Sequence, residues 1–332
     1  MRPVIVHLAT DRGITSFRNT KRRGQQLGYE VVPVRYSELL KRTEWPRGMY
    51  FFSDMERASK WQCSIAAQLW QQLADRPGGY RLYNHPVRHL RRYELLRALH
   101  EAGINDFTAY RLDEITHSVR YPVFVRYTDQ HIGPSTGLLY SEAELEDALA
   151  KLLIRGHPPD RLIVVEFQDT SQGTGRFKKF GAFRLGEHVY TGHMMAAGEW
   201  SVKREINDSD LVGDEDLNFV RNNPYADQIM QAFQVAGLTW GRIDFGVLDG
   251  RIQVWEINDN PKLGSSIFNR SMGRKISRRV SREIRRGVFA TEMAKVVPGD
   301  PLKFKIDASE ALRSPCFARA SAAPEVPSTR EA

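Results

Sequence analysis

GRIDFGVLDGRIQVWEINDNP, residues 241–261, reads as two strands joined at Asp249-Gly250. An Asp-Gly pair between alternating runs signals a hairpin, because both residues accept the positive φ angles of a tight turn. Alternation puts Arg242 and Asp244 on one face of the first strand and Ile243, Phe245 and Val247 on the other. On the second strand Glu256 and Asn258 share a face, and Trp255 and Ile257 share the opposite one. A two-residue turn would set Asp244 against Trp255 and push Glu256 beside Ile243. A three-residue connection with Gly250 in a bulge pairs Val247 with Arg251 and Asp244 with Val254. It also gathers Asp244, Glu256 and Asn258 opposite an apolar face of Ile243, Phe245, Trp255 and Ile257. Side-chain sorting therefore predicts the bulge at Gly250. Two carboxylates and an amide oxygen are hard oxygen ligands of the type Mg²⁺ takes, with its shell completed by water and phosphate. A solvated sheet face gives the same pattern; the polar turn Asp259-Asn260-Pro261 directly after these residues favours the metal site.

Outward from this hairpin, Phe177–Leu185 and His188–Thr191 form a second one around Gly186-Glu187. Leu162–Val165 and Tyr121–Arg126 read as strands, and Ser141 to Glu144 opens a helix with capping-box spacing. Asn84-His85-Pro86 opens another, with Leu90, Leu95, Leu96 and Leu99 on its buried side and Gly103 at its end. Further upstream, strands at Pro3–Ala9, Glu30–Val34 and Met49–Ser53 alternate with helical stretches at Thr15–Leu27 and Met55–Ala74. In the latter Ala58, Trp61, Ile65, Leu69 and Leu73 recur at helical spacing. That alternation implies a parallel α/β unit. Residues 205–218 are acidic and polar and read as an exposed loop or lid. The basic run Arg270–Arg286 carries Ile276, Val280 and Ile284 four residues apart, which predicts an amphipathic helix with a cationic outer face. The final ~25 residues hold too few large apolar side chains to pack and read as disordered.

The chain has 332 residues, 41% hydrophobic and 27% charged, enough for two or three packed units and too polar for a membrane-embedded protein. No apolar run approaches the ~20 residues that span a bilayer. Its start lacks a secretory apolar region, so a cytoplasmic protein with no membrane partner is expected. Lys+Arg exceed Asp+Glu by 48 to 40, and the +8 charge suits a nucleotide, an acidic peptide or nucleic acid. Two cysteines, Cys63 and Cys316, are too few for a disulfide framework or a Cys-based zinc site. Oligomeric state is not written in any pattern here.

Asp244, with Glu256-x-Asn258-x-x-Pro261 a dozen residues on, resembles the metal-binding signature of the ATP-grasp superfamily. That group includes D-alanine–D-alanine ligase, glutathione synthetase and the glutamate ligases that modify ribosomal proteins. Its other elements follow in order. Arg92 stands where a phosphate-binding Lys is usual. Tyr121–Arg126 resembles the strand ending in a second nucleotide-binding Lys, again with Arg. Gly133, Ser135 and Gly137 fall where the family has its mobile phosphate loop. Leu162–Phe167 resembles the hinge strand, whose Glu166 and Phe167 would contact adenine. The sequence departs from the pattern at both Lys positions, where Arg stays cationic but forks differently. It departs again in the loop, where Pro134 has no N–H for a phosphate.

The resemblance implies an α/β fold: an N-terminal parallel α/β pre-domain (1–83) and a two-part ATP-grasp domain with antiparallel sheet. Its lid subdomain would span 84–160 and its catalytic subdomain 161–300, with a disordered tail at 301–332. The implied activity is an ATP- and Mg²⁺-dependent carboxylate–amine ligation through an acyl-phosphate, with Mn²⁺ as a substitute metal. ATP, a small-molecule or peptide carboxylate and an amine acceptor would be the partners. Asp244, Glu256 and Asn258 would hold the metal; Arg92, Arg126, Ser135, Gly137, Glu166, Phe167 and Asp169 the nucleotide. Lys179, Lys203 and Arg242 are the catalytic candidates.

Several of these residues also have plain readings. Lys178 and Lys179 either reach the phosphates or form a solvent-facing basic strand, with Lys179 the stronger candidate. Lys203 covers the transferred phosphate or is a surface lysine. Asp169 bonds the ribose or closes a turn, and His193 touches substrate or is structural. Ser53-Asp54, at the carboxyl edge of the parallel unit, is a candidate acceptor contact. The alternative function is a nucleotide-binding or RNA-associated regulatory protein on the same fold, for which the basic helix supplies phosphate affinity.

Overall fold

The computed structural model describes residues 3–16, 28–76, 78–115, 118–130, 133–202, 210–261 and 272–309. The chain opens with β1 (Val4–Ala9), β2 (Glu30–Arg35), the short β3 (Glu44–Trp45), β4 (Gly48–Phe52), α1 (Lys60–Ala74) and β5 (Tyr80–Tyr83). Four of these strands pair in parallel in the order β2-β1-β4-β5. Period two divides their side chains: Val6, Leu8, Tyr50 and Phe52 join Ile65 and Leu69 of α1, while Ile5, Met49 and Phe51 face the other side. Helix α1 starts later than its apolar period, because Ser59 accepts from the Gln62 N–H and the Gln62 side chain returns the bond. The helical stretch expected at Thr15–Leu27 lies outside the described residues from 17 onward.

Asn84 does not open a helix. Its side chain donates to Phe52 O and Trp240 O and accepts from the Thr239 and Trp240 N–H groups, joining the parallel sheet to the strand that starts at Trp240. Helix α2 begins only at Arg92 (Arg92–Glu101). Then β6 (Ala109–Arg111), β7 (Val123–Tyr127), α3 (Glu142–Ile154) and β8 (Leu162–Glu166) build an antiparallel sheet in the order β6-β8-β7. Ser141 caps α3 by accepting from the Glu144 N–H. Val123, Val125, Leu162 and Val164 pack on α3, which turns Phe124, Arg126, Ile163 and Val165 to the opposite face.

The remaining elements are β9 (Phe177–Leu185), β10 (His188–Ala197), α4 (Asp210–Asn222), α5 (Ala226–Val235), β11 (Trp240–Leu248), β12 (Arg251–Asn258), α6 (Met272–Met293) and β13 (Leu302–Lys303). They include the second antiparallel sheet, β10-β9-β11-β12. The expected loop at 205–218 is corrected: from Asp210 it is helix α4. Val212, Asp216, Phe219 and Val220 are its buried stripe, and its acidic exterior hides that period. The Asp216 carboxylate accepts from Met194 N–H and the Ser277 hydroxyl, fastening α4 to β10 and α6. Helix α6 runs past the expected basic stretch, and its Phe289 stacks 6.0 Å from Phe51, covering the second face of the parallel sheet. Residues 301–307 are also corrected, since they are ordered and pack on the first unit. β13 pairs with β3, and Phe304 stacks on Trp45 and accepts its indole N–H. Among the described residues no helix is long and apolar enough to cross a membrane.

In the β11–β12 hairpin Leu248 pairs with Arg251 across Asp249 and Gly250, whose φ angles of 49° and 78° make a two-residue turn. The predicted bulge at Gly250 is therefore corrected. The register shifts at Trp255 instead, so that Asp244 faces Glu256, Ile243 faces Ile257 and Arg242 faces Asn258. Sorting the side chains did require one extra residue. The Asp-Gly turn closes without it, so the strand interior takes it.

Candidate active site

A cavity of about 380 Å³ opens between the β6-β8-β7 sheet and the β10-β9-β11-β12 sheet. At one end it is aromatic, lined by Phe124, Phe167, Phe177, Trp200 and Trp255. Trp200 lies 4.9 Å from Phe124 and meets Phe167 edge-on at 5.7 Å. The other end is lined by Arg126, Lys179, Asp244 and Glu256. The bulge explains why Trp255 and Glu256, neighbours in sequence, both line the cavity. Trp255 is thus corrected from the apolar face, where strict alternation had placed it.

The charged end is a dense ion network. Asp244 takes both Arg242 Nε (2.7 Å) and Nη2 (3.0 Å), and Lys179 Nζ reaches it at 2.8 Å. Burial pushes the Asp244 carboxyl up, but Arg242 and Lys179 outweigh it and hold it below the usual range. Asp244 in turn raises the Arg242 guanidinium. Across the hairpin, Glu256 Oε2 accepts from Arg92 Nη2 (3.0 Å) and Arg126 Nη2 (3.1 Å). Burial, reinforced by the Arg92 charge, pulls Arg126 down to about 10, against the pull of Glu256. With Glu56 3.9 Å from Arg92, four cations thus meet three carboxylates, a net positive charge suited to a polyphosphate.

Asp244, Glu256 and Asn258 offer oxygen donors suited to a hard divalent cation. Among the described residues no group of three His, Cys, Asp or Glu converges, so any metal shell relies on the Asn258 amide and on ligand or water oxygens. Asn258 Oδ1 accepts from the Asn260 N–H at 2.8 Å. The donor chemistry fits Mg²⁺ bound together with phosphates, whose oxygens can take over the surrounding cations.

Other expected contacts are placed differently. Glu166 lines the cavity, and its carboxylate accepts from Tyr110 Oη (2.9 Å), Arg120 N–H (3.1 Å) and Thr108 N–H (3.2 Å). Phe167 lines the cavity with its ring, while its N–H donates to Pro122 O. Asp169 is exposed and accepts from the Ser171 N–H at 2.7 Å, a turn aspartate. Ser135 donates its N–H to Val125 O, and Thr136 Oγ1 accepts from Val125 N–H, so this loop is laid on β7; Gly137 is exposed. From the same stretch Gly133 and Pro134 line the cavity. Lys178 pairs with Glu215 of α4, and His193 packs over Gly181. Asp54 is buried, bound to Thr10 and Arg57, and is no open acceptor contact. Lys203 lies outside the described residues.

Sequence reasoning missed Phe124, Phe177, Trp200 and Trp255. Phe124 was legible: two positions before Arg126 on a strand, it shares its face.

No protein-family model matches the chain, and a search of curated proteins finds no relative. Solved structures do resemble it. D-alanine–D-alanine ligase from Bacillus anthracis, complexed with ATP, is 12% identical with a TM-score of 0.51, over 89% of this chain and 96% of that one. The Helicobacter pylori D-alanine–D-alanine ligase is 11% identical with a TM-score of 0.51, over 90% and 100%. At such identities the likeness speaks for architecture, and together with the two-part body and its antiparallel sheets it shows that this chain has the fold of the ATP-grasp superfamily.

Proposed function

We propose that the protein is an ATP- and Mg²⁺-dependent carboxylate–amine ligase acting through an acyl-phosphate. One observation carries this reading: a single cavity joins an aromatic chamber to an end bearing Arg126, Lys179, Asp244 and Glu256. Adenine would stack among Phe167, Trp200 and Trp255, and the triphosphate would extend toward the cations. Asp244, Glu256 and Asn258 would hold the metal, which supplies charge neutralisation of the phosphate oxygens. A substrate carboxylate oxygen attacks the γ-phosphorus and the bond to ADP breaks. An amine then attacks the acyl carbon, and phosphate leaves as the amide forms. Lys179, Arg126 and Arg242 oppose the charge that builds on the equatorial oxygens. The carboxylate donor is a small molecule or peptide.

Calorimetry of ATP with and without Mg²⁺, on the wild type and on Asp244→Ala/Glu256→Ala, tests the reading. Metal-dependent binding that disappears in the variant supports it and justifies screening amino acids and peptides for ADP release. No binding by the wild type overturns it. A second reading, a nucleotide-binding regulatory protein, is favoured by the engagement of Arg92 and Arg126 with Glu256. It expects ATP binding without ADP release for any acceptor.

A further inference from the structure

Arg92 is 1% exposed, and its guanidinium sits where three parts of the molecule meet. Its Nη1 donates to the carbonyl oxygens of Tyr127 (2.8 Å), Thr128 (3.1 Å) and Gln130 (2.8 Å), the exit of β7. Its Nη2 donates to Glu256 at 3.0 Å and lies 3.9 Å from Glu56, in the turn after β4 of the parallel unit. We infer that Arg92 is a positioning residue that ties the β7 exit loop to Glu256 at the junction with the first unit, and is not a phosphate ligand.

The geometry explains why an arginine serves here. Its two terminal nitrogens point in different directions in one rigid plane, so one can gather carbonyls while the other holds a carboxylate. A lysine presents its three donors from a single atom and cannot span both groups in the same way. Three backbone carbonyls crowded on one nitrogen would be left with unmet acceptors in a buried place if that nitrogen swung away to a ligand. Arg126, by contrast, lines the cavity, and among the described residues its guanidinium bonds to Glu256 and to no carbonyl, which makes it the better placed arginine to serve phosphates. The segment beginning at Gly133 lies back on β7 itself, its Ser135 and Leu139 N–H groups bonding to Val125 O and Val123 O, so a fixed end of β7 steadies that segment through the strand. The inference rests on the proposed nucleotide site only for what Glu256 does; the contacts themselves stand without it.

Arg92→Lys keeps the charge and removes the fork. In the ligand-free variant, hydrogen exchange at the Ser135 and Leu139 amides is expected to speed up about tenfold, with amides of β1 and β4 unchanged. ADP affinity without Mg²⁺ is expected to stay within about threefold of wild type, while the gain in affinity on adding Mg²⁺ falls about fivefold, since Glu256 is no longer held. Unchanged exchange at Ser135 and Leu139 overturns the inference. So does an ADP affinity that shifts equally with and without Mg²⁺, the signature of a phosphate ligand. Faster exchange with the Mg²⁺ gain unmoved also overturns it, reducing Arg92 to a structural tie. Should Arg92→Lys not fold, Glu256→Gln weakens the tie from its other end, and the same exchange reading decides. A wild type that binds no ADP sinks the proposed function, and the ligand-free exchange then decides the Arg92 tie by itself.

Discussion

Two pairs of carboxylates flank the β11–β12 hairpin, Asp244 with Glu256 on the strands and Asp259 with Asp54 where β12 meets the parallel unit, and they are satisfied differently. Asp244 and Glu256 are met by side-chain cations: Arg242 and Lys179 on one, Arg92 and Arg126 on the other. Asp259 is met by the main chain, accepting from the N–H groups of Asp54 (2.9 Å) and Met55 (2.8 Å). Asp54 in turn, at a φ of 60°, holds Thr10 and Arg57. Asn260 continues the joint by donating to Gly13 O at 3.2 Å. Lys179, Arg126 and Arg242 carry their charge on stems that can exchange one anion for another, whereas Asp259 is held by backbone amides in a packed turn and Asp54 is closed in by Thr10 and Arg57. The first pair is therefore available to a ligand and the second is joinery. Chemical type alone would not separate them, because all four are buried or half-buried acids.

The largest effect should come from breaking the exchangeable pair. Glu256→Ala is expected to lower ATP-dependent product formation of the folded fraction by ~10²-fold or more, on the scale of losing one aligned electrostatic contact in a transition state, and also to lower the melting temperature, because the buried Arg92 and Arg126 lose their shared carboxylate. An unchanged rate with the fold intact would erase the distinction between the pairs. Asp259→Ala should touch stability alone. Leaving two buried N–H groups unpaired costs about 2–4 kcal/mol in urea unfolding, while ATP affinity of the folded fraction stays as in wild type. Glu166→Gln weakens bonds to Tyr110 and Arg120, and about 1–2 kcal/mol of stability should be lost. Its nucleotide affinity should not move, whereas a fall would restore Glu166 as a base contact.

Acid should loosen the joinery before the ligand site. Burial holds His7 down to about 4, although its bond to Asn260 pulls the other way. The unfolded chain takes up this proton near 6.5, the ordinary value for an imidazole, so between pH 6.5 and about 4 it binds more protons than the native state. His7 therefore contributes stability that is complete above pH 6.5 and drains as pH falls toward 4. Urea midpoints at pH 7, 5.5 and 4.5 should decline less steeply in His7→Gln than in wild type; equal slopes would remove His7 from the joint. The smallest effect is expected of Gly250→Ala, where a φ of 78° disfavours a side chain. About 1 kcal/mol of stability and no change in nucleotide affinity should follow, since the turn is far along the strands from Asp244.

Regular patterns were the legible part of the sequence. Short apolar runs located β1, β4 and β8, partial alternation located β7, and the Asp249-Gly250 pair located the hairpin. The need to sort Asp244 and Glu256 from Ile243 and Ile257 showed that one residue had to be extra. What the pattern could not say was where, because the turn chemistry and the packing of Trp255 compete and only the folded cavity decides. Helix α4 was obscured because its buried stripe includes an aspartate, and Asp216 counts as polar until its partners in β10 and α6 are known. The same limit applied to Glu166 and Arg92. Residue type and position suggested ligand contacts, and could not show that Tyr110, Arg120 and the carbonyls at the β7 exit, all from other segments, bond to the same side chains.

The pairing of β13 with β3 bears on the order in which the molecule can be completed during synthesis. Trp45 and Phe304, 259 positions apart, share a hydrogen bond, and Phe51 waits in the same way for Phe289. The parallel unit leaves the ribosome first yet finishes last. Until α6 and β13 follow, one face of its sheet and the fully buried Trp45 stay uncovered, an apolar surface that a chaperone would have to shield while the catalytic sheet is still being made.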